Sequence, residues 1–274
     1  MSTFFRTHRA YCLVTAALAL IATVLRALSV ALFTDKASGY FLADAALPII
    51  THVVMALAAI ALALYPLLLL KGRVAVKRAR LTSGGVIGSL LCALLFFLNF
   101  ISACISGSTL PGPLLAVTLL ALLCATLYFL LAVPRFQVSV KTRTVLGALA
   151  VAALACLVAL TYFDVATPMN APHKTELHLA LLAAMLYLLY ELRDTAEIPM
   201  PRMMAACSAL AFFLAVTVGF SDLLAYTVGI YESPLYLAED LLLPALAVYI
   251  GARSIADAAH APIKSEQKGE KSAL

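Results

Sequence analysis

Polar residues are so sparse along this chain that they punctuate long apolar runs instead of alternating with them. The runs fall at 11–33, 46–70, 84–106, 114–133, 145–165, 175–192, 203–225 and 235–255. Crossing a hydrocarbon layer ~30 Å thick takes roughly 20 mainly apolar residues at a helical rise of ~1.5 Å each, and each run has about that length. The pattern predicts an all-α fold, a polytopic transmembrane helical bundle of eight spans built as four consecutive hairpins. The connections are short, so residues 1–258 are expected to form a single transmembrane domain. Residues 259–274 (AHAPIKSEQKGEKSAL) hold few large apolar side chains and are expected to be a disordered cytoplasmic tail. Arg6 and Arg9 precede an apolar run in the manner of a signal peptide. That run continues past Arg26 to Phe33 with no small-x-small cleavage site, which favours an uncleaved first span.

Composition agrees: 64% of the residues are hydrophobic and 12% are charged. A soluble domain carries about a quarter charged residues, so most of this surface is solvated by lipid. Charge then sets the expected orientation, because Lys and Arg in short loops mark the cytoplasmic side. Lys71, Arg73, Lys77, Arg78 and Arg80 fill one loop, and Arg135, Lys141 and Arg143 another. Every other basic residue except Lys36, Lys174 and Arg26 falls on that same side. The chain is therefore expected in the cell membrane, multi-pass, with N- and C-termini cytoplasmic. The basic loops read as an orientation signal that touches anionic lipid, and they imply no nucleic acid. The six cysteines all fall inside spans with no CxxC spacing, so neither a disulfide framework nor a zinc knuckle is indicated.

A weak period runs through the chain. Odd spans close on a polar residue near an aromatic (Asp35, Asn99, Asp164, Asp222), and even spans end on arginine (Arg73, Arg135, Arg193, Arg253). Common ancestry of the hairpins and the length imposed by membrane geometry both account for it. Pro66 and Pro244 lie inside spans two and eight, where proline removes a backbone donor and kinks the helix. Asn170 with Pro172, and Ser233 with Pro234, read as helix starts. Tyr226, Tyr231 and Tyr236 sit where an aromatic belt belongs.

Ionisable residues inside a membrane are costly and hence candidates for function. Asp35, Asp44, Asp164, Glu176, Asp222, Glu232, Glu239 and Asp240 gather toward the outer ends of the spans, interspersed with His52, His173 and His178. Small residues mark helix contacts in lipid. Thr15, Ala19, Ala22, Arg26 and Ser29 share one face, so Arg26 should point inward. Gly85, Ser89, Cys92, Phe96 and Asn99 share another, and Gly84-x-x-x-Gly88 adds a close-packing signal. Ser208, Ala211, Ala215 and Asp222 line span seven. In span eight Asp240 goes with Pro244, Ala247 and Gly251. Glu239 goes with Leu242, Leu243, Leu246 and Ile250, a face expected to meet lipid, with Glu239 reaching the headgroups. Span six offers His173 with Glu176, or Lys174 with His178, of which only one pair should point fully inward.

Two readings follow. In the first, Arg26, His52, Asn99, Asp164, Asp222 and Asp240, with His178 or Glu176, wall an acidic outward-facing vestibule that binds a cation or small cationic ligand, as in a transporter- or sensor-type protein. In the second, Arg26 pairs with Asp164, Asp222 or Asp240 only to pin helices, and the chain is a structural or accessory subunit with a membrane-protein partner. No HExxH or HxxxH spacing supports a metal at His52 and His178, and no cofactor is indicated. Enzymatic motifs (GxSxG, P-loop, GxGxxG) are missing, and Ser221 and Asp222, as sequence neighbours, should point apart on a helix; an enzyme is not expected.

Tyr162 to Arg193 reads YFDVATPMNAPHKTELHLALLAAMLYLLYELR, a stretch of 32 residues in a chain of 274. It resembles a pattern in uncharacterised multi-spanning membrane proteins of low-GC Gram-positive bacteria: aromatic-Asp, then Pro-Met-Asn-x-Pro, then a Leu-rich helix ending in Tyr-Glu-x-Arg. The resemblance implies a bacterial plasma membrane and weight on Asp164, Pro168, Met169, Asn170, Pro172, Lys174, Tyr190, Glu191 and Arg193, but carries no activity. Glu191 and Arg193 read as an interfacial ion pair, worth little when exposed.

Overall fold

The computed structural model describes residues 8–35, 40–42, 44–70, 81–105, 112–136, 138–163, 168, 171–229 and 237–259. Among them are eight helices: α1 (His8–Phe33), α2 (Ala46–Leu68), α3 (Ser83–Ile105), α4 (Gly112–Leu131), α5 (Val140–Phe163), α6 (Pro172–Thr195), α7 (Pro201–Thr227) and α8 (Leu237–Ala259). All eight are long and apolar enough to cross a membrane. The chain is a multi-pass integral membrane protein whose outer faces meet the lipid bilayer. Each helix overlaps one predicted span. Proline opens α6 (Pro172) and α7 (Pro201), where its missing N–H costs nothing. The basic loop at 71–80, Lys36, Asp164, Asn170, Tyr231, Glu232, Tyr236 and the tail from 260 onward lie outside the described residues.

Six helices close a cycle of contacts: α3 packs on α4, α4 on α5, α5 on α6, α6 on α7, α7 on α8, and α8 back on α3. The α1/α2 pair docks on α7. Lipid is as apolar as leucine, so the helices are held by close approach and polar contacts, not by expulsion of water. The small faces expected from the sequence perform that role. Thr15, Ala19, Ala22, Arg26 and Ser29 are all buried on α1, and Ser89, Cys92, Phe96 and Asn99 on α3. Gly88 lies so close to α8 that a Cβ there would stand 2.6 Å from the Tyr249 backbone nitrogen. A Cβ on Gly219 would come within 2.5 Å of the Pro244 ring, which packs α7 and α8 at the level of that proline. Arg9 reaches across to the carbonyls of Ala258 and Ala259, placing a cation at the C-terminal dipole of α8.

One expected face is reversed. Leu242, Leu243, Leu246 and Ile250, the stripe that should have met lipid, are fully buried, and Glu239 is buried with them. The reason is the position of α8, which packs on α3 and α7 and also touches α1 and α6. A helix enclosed on several sides uses leucine as core, and an apolar stripe has the same composition whether it meets lipid or protein.

Candidate functional site

One group of buried charges converges where the C-terminal parts of α1 and α7 meet the N-terminal parts of α2, α6 and α8. Arg26 of α1 is the hub, 1% exposed. Its Nε donates to Glu176 Oε2 at 2.6 Å. Its Nη1 donates to Asp222 Oδ1 at 2.5 Å and to the Val218 carbonyl at 3.3 Å, and it also meets the Ser221 hydroxyl. A guanidinium is a planar fork of five donors, so one arginine ties α1 to both α6 and α7. Ser29 and Thr51, 2.9 Å apart, join α1 to α2 beside it.

From this hub the cluster extends in two directions. Toward the surface, His52 stands with Nε2 2.9 Å from Glu176 Oε1 and Nδ1 2.7 Å from the Pro48 carbonyl; its side chain is 43% exposed. Inward, His173 stands between two carboxylates, with Nδ1 3.2 Å from Asp222 Oδ2 and Nε2 3.7 Å from Asp240 Oδ2. His173, Asp222 and Asp240 are all buried, and one donor atom from each lies within 4.8 Å of the others. The Tyr226 phenol stands beside the Asp240 carboxylate as a hydrogen-bond donor, and among the described residues no closer, well-aligned donor reaches either oxygen. Glu239, its neighbour in sequence, is buried too, and its Oε2 has no hydrogen-bond donor.

The charges do not balance. Among the described residues, Glu176, Asp222 and Asp240 gather around one guanidinium, that of Arg26, so with neutral imidazoles these groups carry an excess of two negative charges. Buried uncompensated charge is expensive, which leaves protons or a bound cation as the means of neutralising it.

Of the residues chosen from the sequence, Arg26, His52, Glu176, Asp222 and Asp240 come together. Asn99 does not enter the cluster: its amide donates to the Ala238 carbonyl at 3.1 Å and to Leu95, joining α3 to the start of α8. His178 turns to α5, with Nε2 2.7 Å from the Thr161 hydroxyl. Asp164 lies outside the described residues.

His173 and Glu176 are both buried, whereas in the other pair Lys174 is buried and His178 only half-buried, so one pair points fully inward. Lys174 is enclosed as well because α6 packs on both α5 and α7. Two expectations require correction. Ser221 and Asp222 do not point apart with respect to Arg26; both meet its Nη1, because a long arginine reaches two adjacent positions of a facing helix. Glu191 does not pair with Arg193, which is exposed. It is buried at the opposite end of the bundle, accepts a hydrogen bond from the Tyr249 hydroxyl at 2.8 Å and lies 3.5 Å from Arg253 Nη2.

His173 and Glu239 lay outside the residues selected from sequence. His173 was legible as one half of the α6 alternatives, whereas nothing in the local pattern distinguished Glu239 from an interfacial acid. No family model, no curated protein and no solved structure matches this chain, so its geometry carries the functional reading.

Proposed function

We propose that this integral membrane protein binds a cation at the buried acidic cluster of α6, α7 and α8, and that it is of transporter or sensor type. The observation that carries the reading is the excess of carboxylate over guanidinium around Arg26. An enclosed site with net negative charge attracts cations and holds them strongly, since little water screens it. His52 is the half-exposed member and marks the side of entry. The basic loops orient that side outward, with both termini in the cytoplasm and the cell membrane as the location. The reading is non-enzymatic: the Ser221 hydroxyl is engaged by Arg26 and by the Thr217 carbonyl, not by a base that would activate it.

A second reading has its own support. Arg26 joins three helices through charged and neutral partners, the arrangement a purely structural pin would have. In that reading the protein is an accessory subunit of a membrane-protein partner. The two separate in one experiment: thermal stability of the detergent-purified chain against a panel of monovalent and divalent cations, polyamines and cationic amino acids, run beside Asp240→Asn. The cation-binding reading expects a selective stabilisation that the variant loses. Flat responses in both proteins favour the structural pin.

A further inference from the structure

We propose that His173, Asp222 and Asp240 form a binding site for a divalent transition-metal ion of the zinc or manganese kind, held by one imidazole nitrogen and two carboxylates. This deepens the cation reading above and rests on it.

Three helices deliver the three donors. His173 comes from α6, Asp222 from α7 and Asp240 from α8, and none is more than 5% exposed. Bonds of ~2.0–2.2 Å place neighbouring ligands of zinc roughly 3–4 Å apart. One donor atom from each of the three residues lies within 4.8 Å of the others, with Asp222 3.2 Å from Nδ1 of His173 and Asp240 3.7 Å from its Nε2, so a modest side-chain adjustment reaches that range. The two carboxylates face different ring nitrogens, so the ion takes one nitrogen and the far carboxylate closes on it by a change of rotamer.

Independent observations point to a ligand. Asp240 is 1% exposed, and among the described residues neither oxygen has a close, well-aligned donor, the Tyr226 phenol standing beside it. Burying a carboxylate in this state is costly, and a cation between Asp240 and Asp222 removes the cost. Asp222 is held as a metal-binding carboxylate commonly is: Arg26 binds its Oδ1, leaving Oδ2 turned toward His173 Nδ1 at 3.2 Å. An ion of charge two also cancels the excess negative charge of the cluster. Imidazole with carboxylate suits zinc, manganese and iron, while magnesium and calcium favour all-oxygen shells. Among the described residues, a second buried ionic group, Glu191 with Tyr249 and Arg253, is balanced by its own arginine and calls for no ion.

The test uses the full chain in detergent, stripped with a chelator and dialysed against zinc or manganese. We expect one ion per chain. Asp240→Asn and His173→Gln should each weaken binding by at least about tenfold, while His8→Gln, at the other end of the bundle, binds as the parent does. The melting transition of each chelated variant reports its folding. If neither variant folds, cobalt(II) in the parent chain decides: weak visible bands from nitrogen and oxygen ligands support the site, and strong thiolate charge-transfer bands or no bands overturn it. Undiminished binding in both folded variants also overturns it. If no divalent metal binds but a monovalent or organic cation stabilises the parent and not Asp240→Asn, the metal proposal falls and the cation reading stands. If no cation of any class stabilises the parent, both fall.

Discussion

Arg26 and Asp222 meet at 2.5 Å across 196 residues of sequence, with side chains 1% and 0% exposed. A charge pair this enclosed makes each partner depend on the other. Removing one member leaves a buried charge and costs ~3–5 kcal/mol. Arg26→Met should therefore destabilise by about that amount, since Glu176 loses its cation as well. Adding Asp222→Asn to Arg26→Met should recover part of the loss. Reversible unfolding of the single and double variants checks this, and strict additivity would contradict the pairing.

Contact between α3 and α8 depends on one glycine far more than on another. A Cβ at Gly88 would meet Tyr249 backbone atoms at 2.6 and 2.7 Å, whereas at Gly84 it would meet only Ala252 Cβ at 3.5 Å. Backbone cannot yield as a side-chain tip can. Gly88→Ala should cost about 1–3 kcal/mol through overpacking, and Gly84→Ala should be close to neutral. Melting temperatures of the two variants, measured side by side, decide the matter.

Glu191 supplies a contrast at the other end. Tyr249→Phe removes its hydrogen bond and should cost about 1–3 kcal/mol, because a buried acceptor is left unmade. Arg193→Gln, at the exposed neighbour, should change stability by no more than ~0.5 kcal/mol. Equal effects of the two substitutions would restore the ion pair suggested by the sequence.

Orientation is open to a direct check. A fluorescent protein fused after Leu274 should fold and fluoresce, and an alkaline phosphatase fused there should be inactive. A phosphatase fused at Lys36 should be active. The opposite pattern would invert the bundle and turn the Arg26 cluster toward the cytoplasm.

The sequence determined the spans and several of the faces by which they pack. Length and apolarity alone place eight helices, because crossing hydrocarbon requires every backbone group to be bonded within its own segment. The small stripe ending in Arg26 and Ser29, and the Gly84-x-x-x-Gly88 signal, were legible because close approach needs small side chains at helical spacing. Only the tertiary structure decided that α8 is enclosed, that Glu239 is buried, that Glu191 pairs with Arg253, and that His173 stands between Asp222 and Asp240. In a lipid solvent an apolar face reads the same whether it meets acyl chains or another helix, so hydrophobic periodicity loses the power to mark inside from outside. The partners of a buried charge come from helices distant in sequence, and their identity exists only once those helices have packed.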